Sequence, residues 1–171
     1  MLEGFTVGLI KLHRSLSWKE SNYMKLWISM SFAVCLALAF IVAPLPAAEI
    51  GQIKNTAGQV FLLRNNAQQP AKPGDLVEAA DVIVTGANSS VGVTLIDNSR
   101  LSAGPNSRVE FKQFRFNPTT QEGESLTQLH RGTLAIVSGQ IAKRSPDAMK
   151  VQTPTTILGV RGTKFAVKVE E

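Results

Sequence analysis

The chain has 171 residues, 44% hydrophobic and 18% charged, with 13 Gly and 8 Pro, which suits one globular domain better than a disordered chain and excludes more than one core. Its formal net charge of +5 owes part of its size to the first 48 residues, where Lys11, Arg14, Lys19 and Lys25 face only Glu3 and Glu20. After Ala48 the only adjacent basic pair is Lys143-Arg144, so the charge pattern excludes a basic stripe for nucleic acid.

The first element is the uncharged run Leu26 to Val42, preceded by Lys25 and followed by Ala43-Pro44-Leu45-Pro46-Ala47-Ala48. A base, an apolar stretch and a small-residue end form the layout of a secretory signal. Residues 24–48 are therefore read as a signal peptide starting at Met24, and residues 1–23 as a disordered upstream extension. An alternative stays open. The run is close to the roughly 20 residues that cross a bilayer, and cleavage after Ala48 would put Pro46 where a small residue is preferred. An uncleaved anchor would leave residues 1–23 in the cytoplasm, with residues 26–42 as the only membrane contact. Cys35, the one cysteine, lies in this run behind Phe32-Ala33-Val34, which is not a lipoprotein pattern. A mature chain beginning at Glu49 then has no thiol for disulfides, nucleophilic catalysis or metal binding.

From Glu49 onward the chain reads as strands and turns. Candidate strands are Gln59 to Leu63, Val82 to Thr85, Val91 to Ile96, Arg108 to Phe116, Leu126 to Leu129, Thr133 to Val137, Met149 to Thr153 and Phe165 to Val169. In "RVEFKQFRF" the apolar parity shifts between Phe111 and Phe114, the mark of a bulge near Lys112-Gln113. This stretch also interleaves aromatics with bases, but its alternation fits an amphipathic strand better than a stacking platform. Turn chemistry separates the strands at Asn65-Asn66, Lys72-Pro73-Gly74-Asp75, Gly86-Ala87-Asn88-Ser89, Asp97-Asn98-Ser99, Gly104-Pro105-Asn106 and Asn117-Pro118. With no helical period of ten or more residues, residues 49–171 are expected to form one all-β domain, an antiparallel sandwich of jelly-roll type.

The turns fall in a recurring order: Gly74-Asp75, Thr85-Gly86, Asp97-Asn98-Ser99, Pro105-Asn106-Ser107, the Gly132-led strand, then "TPTTILGVRGTKFAV" with Thr153, Pro154, Gly159, Arg161, Gly162, Thr163 and Phe165. In this order and spacing the region resembles the FecR domain family of bacterial envelopes. It departs from that pattern at Asn98, where the family has Gly, and at Ala80-Asp81, where a second Gly-Asp is usual. Asn tolerates the positive φ that Gly would supply. The resemblance implies an exported domain, periplasmic or secreted, or held at the inner membrane if the signal is an anchor. It does not carry over sigma-factor control, since residues 1–23 are too few for a folded anti-sigma unit.

Arg161 is the sharpest single question, because it is the one charge between two glycines in a strand-like run. The first reading is structural: a partly buried guanidinium forking onto backbone carbonyls or onto Asp75, Asp81 or Asp97. The second is recognition of a carboxylate or sugar acid by Arg161 and the neighbouring glycine amides. Catalysis has little behind it. His130 is the only histidine after Ala48, so no His cluster can hold a metal. No Gly-x-Ser-x-Gly, phosphate loop or other catalytic motif occurs, and the acids sit mostly in turns. No Trp or Tyr follows Ala48, so the aromatic platform common in sugar sites is absent. The expectation is a module that is not an enzyme, uses no cofactor and binds an envelope protein or polymer. A structural or surface-displayed protein without signalling output is the alternative, and a glycan hydrolase a third reading.

Overall fold

A computed structural model describes residues 48–170 apart from Pro146, Gly162 and Thr163. The signal, the start codon, Cys35 and the motif residues Gly162 and Thr163 therefore lie outside the described residues. The elements run β1 (Glu49–Ala57), β2 (Val60–Arg64), β3 (Ala67–Pro70), β4 (Leu76–Glu78), β5 (Val82–Thr85), β6 (Ser90–Leu95), β7 (Arg100–Ala103), β8 (Arg108–Phe116) and β9 (Gly123–Val137). A short helix α1 (Gln140–Arg144) follows, then β10 (Met149–Gln152), β11 (Ile157–Gly159) and β12 (Lys164–Val169).

The all-β expectation holds, and the strand pairing shows how the layers are built. One hydrogen-bonded path runs β3-β2-β5-β8-β9-β7-β6-β1-β4, with β10 and β12 added along β9 and β11 beyond β10. The sandwich expectation pictured two facing sheets. Here β9 belongs to both halves, so the sheet is continuous and curls. Its first half pairs with β8 and, in parallel, with β10; its second half pairs with β7 and β12. Every other pairing is antiparallel. Leu126 to Leu129 and Thr133 to Val137, expected as two strands, are one, with Gly132 between them at φ +88°. That left-handed value is easy for Gly and rare for residues with a Cβ.

Local chemistry explains the register. Asn65 and Asn66 adopt φ of 49° and 64°, the two-residue turn that matches strand twist, and so close the β2–β3 hairpin. The expected bulge in β8 is present: Phe111 faces Thr127 and Gln113 faces Leu126, leaving Lys112 unopposed. Asn98 has φ +66°, as its place in a Gly position required. Strands β1, β3, β4, β7 and β11 were not anticipated, being polar or only three or four residues long.

The inward faces of both halves meet in one core. Ile53, Leu62, Ile83, Leu129, Leu134, Ile136 and Val151 are fully buried there, each contributing about 1.5–3 kcal/mol of transfer free energy. Helix α1 adds Ile141 and Ala142, while Phe165, Val167 and Val169 of β12 pack against its margin. Open edges are left at β3, β4, β11 and β12. Strand β3 is polar and ends in Pro70, and β12 presents Lys164 and Lys168, devices that discourage unwanted pairing. Strand β11 has neither.

Candidate functional site

Arg161 sits on the surface, its side chain 72% exposed. Its Nε and Nη2 donate to Asp147 Oδ1 and Oδ2 at 3.2 and 2.8 Å, not to Asp75, Asp81 or Asp97. Asp147 lies in the turn before β10 with φ +69°, and a Cβ on Gly159 would come within 3.3 Å of its Oδ1. Gly159 thus leaves room for the carboxylate that Arg161 grips. The forked hydrogen bond and charge of Arg161 hold the Asp147 carboxyl below its ordinary range, and Asp147 raises the guanidinium in return. Both groups face water, so the pair orders a loop without anchoring the core.

The remaining motif residues tie turns together. Asp97 is fully buried; its Oδ1 accepts from the Ser99 amide at 2.9 Å and its Oδ2 from Ser99 Oγ at 2.7 Å. Ser99 Oγ accepts from the Gly139 amide at 2.8 Å, and the Asp97 carbonyl accepts from the Gln140 amide at 2.8 Å. The Asp97-Asn98-Ser99 turn therefore seats helix α1. Thr85 Oγ1 accepts from the Ser107 amide at 2.8 Å and donates to the Gly104 carbonyl at 2.6 Å. Ser107 Oγ donates to the Thr133 carbonyl at 3.1 Å and accepts from the Thr133 amide at 2.9 Å, beside Gly132. Gly86 donates to the Gln59 carbonyl and accepts from Asn106, next to Pro105. At the Gly74-Asp75 turn, the Gly74 amide reaches the Ile53 carbonyl and Asp75 Oδ2 accepts from the Lys72 amide. Buried Thr153 closes the β10–β11 hairpin through both its amide and hydroxyl to Thr156, with Pro154 outside. Phe165 is half-buried against the core. The side chains of Thr85, Asp97, Ser99, Ser107 and Thr153 thus satisfy backbone groups at or beside buried positions.

The arginine that fastens the fold is Arg64, which the sequence reading missed. Its Nε and Nη2 fork onto Asp81 Oδ1 and Oδ2 at 2.9 and 2.7 Å, its Nη2 also reaches the Leu76 carbonyl at 2.9 Å, and Nη1 lies 2.6 Å from Glu78. Asp81 is 1% exposed and also accepts from the Glu78 amide at 2.8 Å. The bidentate bond to Asp81 raises the Arg64 guanidinium above its ordinary value, against the opposing effect of burial. The signal in the sequence was a lone charge closing the apolar run "VFLLR".

His130 stands on the outer face of β9 with Nε2 2.8 Å from Glu110 Oε2, a cross-strand pair of the kind its strand position implied. Among the described residues no group of three or more His, Cys, Asp or Glu is placed to hold a metal, and no helix is long and apolar enough to cross a membrane. Open surfaces among the described residues include two that suit a partner. One is the β11 edge, where Ile157 and Leu158 are 60% and 37% exposed. The other is a groove of about 770 Å³ on the outer face of β1, β6, β7, β9 and β12, bordered by Lys54, Arg100 and Lys164.

The described residues form a curled, mostly antiparallel sheet, and the side chains of Thr85, Asp97, Ser99, Ser107 and Thr153 close its turns. Residues 81–171 match the family described as "FecR protein", and the chain belongs to that family. A solved structure described as "Cell surface anchoring domain" is similar at 28% identity and a TM-score of 0.36, covering 37% of this chain and 86% of that one. No curated protein matches the chain.

Proposed function

We infer that this protein is an exported module of the bacterial envelope, sensory or scaffolding in role, that binds a partner protein without catalysing a reaction. The observation that carries this reading is the β11 edge. The Thr153–Thr156 and Met149–Val160 bonds fix the alternation along the β10–β11 ladder, so Leu158 points its amide at β10 while Ile157 and Gly159 turn theirs outward. An extended segment of a partner could pair with those outward groups and cover Ile157 and Leu158, adding a strand to the sheet. The burial of Thr85, Asp97, Ser99, Ser107 and Thr153 supports the same reading, because it leaves their turns occupied with the fold and the edge available.

A photo-reactive phenylalanine analogue placed at Leu158 in living cells tests this. Irradiation is expected to give one discrete adduct with an envelope protein, lost when Ile157→Pro removes an outward amide, and no adduct from the same probe at Lys143 on α1. Equal adducts from both positions, or an adduct indifferent to Ile157→Pro, would refute strand addition at β11.

A further inference from the structure

We propose that the groove on the outer face of the β1-β6-β7-β9-β12 half binds a linear anionic polysaccharide. The inference rests on the reading of the chain as an envelope binding module and concerns a different surface from the β11 edge. Pairing registers align two rows of outward residues across five strands. Lys164, Val137, Arg100, Thr94 and Gln52 form one, and Ala166, Ala135, Ser102, Gly92 and Asn55 form the next. With strands about 4.8 Å apart, the rows extend for about 19 Å across the sheet. The second row is the low floor of the groove, and the Asn55 side chain lies over Gly92, where an added Cβ would collide with it.

Charge decides the class of ligand. Lys54, Arg100 and Lys164 come from three strands, and no Asp or Glu lines the groove. Among the described residues Arg100 and Lys164 make no ion pair, and Lys54 bonds only neutral Gln52. Arg115, Arg161 and Lys168, by contrast, lie against carboxylates, in the pairs Arg115–Glu124, Arg161–Asp147 and Lys168–Glu170. Three cations without counter-charges around one groove complement an acidic chain.

The floor decides between kinds of acidic chain. Its backbone amides and carbonyls are already used in the ladder, so a peptide laid across the strands would find no edge to join and would leave its own amides short of partners. A sugar-acid chain needs neither. Its carboxylates meet the bases, its hydroxyls meet Asn55, Thr94 and Ser102, and its ring C–H faces rest on Ala135, Ala166 and Gly92. No aromatic platform is required, because charge supplies the attraction.

The test uses protein purified from expression of the full-length gene, with fluorescein-labelled oligogalacturonate as the probe and polarisation as the readout. Saturable binding is expected at low salt, weakening as salt rises and unaffected by dextran as competitor. Loss of two charge-assisted contacts in Arg100→Ser/Lys164→Ser should weaken binding at least about tenfold. An equal change of net charge outside the groove, Lys72→Ser/Lys143→Ser, should change it by no more than about twofold. Absence of saturable binding, or equal loss in both double variants, would overturn the proposal. So would tighter binding of poly-glutamate than of oligogalacturonate, which would point to a protein partner. None of these outcomes depends on strand addition at β11, so the two readings fail separately.

Discussion

Arg64→Ala is expected to lower stability by about 3 kcal/mol, the lower end of the cost of removing one partner of a buried ion pair. Asp81 would keep the Glu78 amide but lose both guanidinium bonds while remaining buried. The lower end applies because the Arg64 side chain is 29% exposed, so water partly replaces it. Three strands also lose a common tie, since Arg64 ends β2, Leu76 and Glu78 belong to β4, and Asp81 precedes β5. Arg161→Lys, in contrast, should leave the melting temperature nearly unchanged, although Arg161 lies within the residues 81–171 that match the family and Arg64 does not. Urea unfolding of both variants decides the matter. A larger loss from Arg161 than from Arg64 would mean that the exposed Asp147 pair carries the fold.

The second large effect is expected at Gly132, where β9 passes from one half of the sheet to the other. A Cβ there would lie 2.2 Å from Ser107 Oγ and 2.5 Å from Ser107 Cα, and φ is +88°. Backbone strain of about 1–3 kcal/mol adds to overpacking of about 1–3 kcal/mol, so Gly132→Ala should cost about 3 kcal/mol or more. Gly74→Ala is the control. Its φ is +98°, but an added Cβ meets nothing within 4 Å, which leaves only the conformational penalty of about 1 kcal/mol. Equal unfolding free energies for the two variants would contradict the tight crossing of β9 over the Pro105-Asn106-Ser107 turn.

The elements legible in the sequence were those whose cause is local. The bulge at Lys112 shows as a parity shift, because side chains alternate strictly along a strand. The Asn65-Asn66 hairpin and the left-handed Asn98 show as turn chemistry. Strands β3 and β4 left no such trace: β3 lies exposed at an edge, so nothing selects an apolar face, and β4 is too short to display a period. Continuity of β9 was hidden by Gly132, which reads as a break in sequence and acts as a joint in space. Arg161 drew attention because glycines flank it in sequence, whereas the pairing of Arg64 with Asp81 depends on two strands brought together by the fold. The groove was illegible for the same reason. Lys54, Arg100 and Lys164 are far apart in the chain and become neighbours only through the pairing of β1, β6, β7, β9 and β12.

The central claim is that an exported β module works in the envelope, and its most direct test is the intact mass of the protein recovered from fractionated Gram-negative cells expressing the full-length gene. The predicted result is a soluble periplasmic species beginning at or near Glu49. A species that stays in the cytoplasm would contradict the claim, and one that keeps Met1 in the membrane fraction would contradict the cleaved signal.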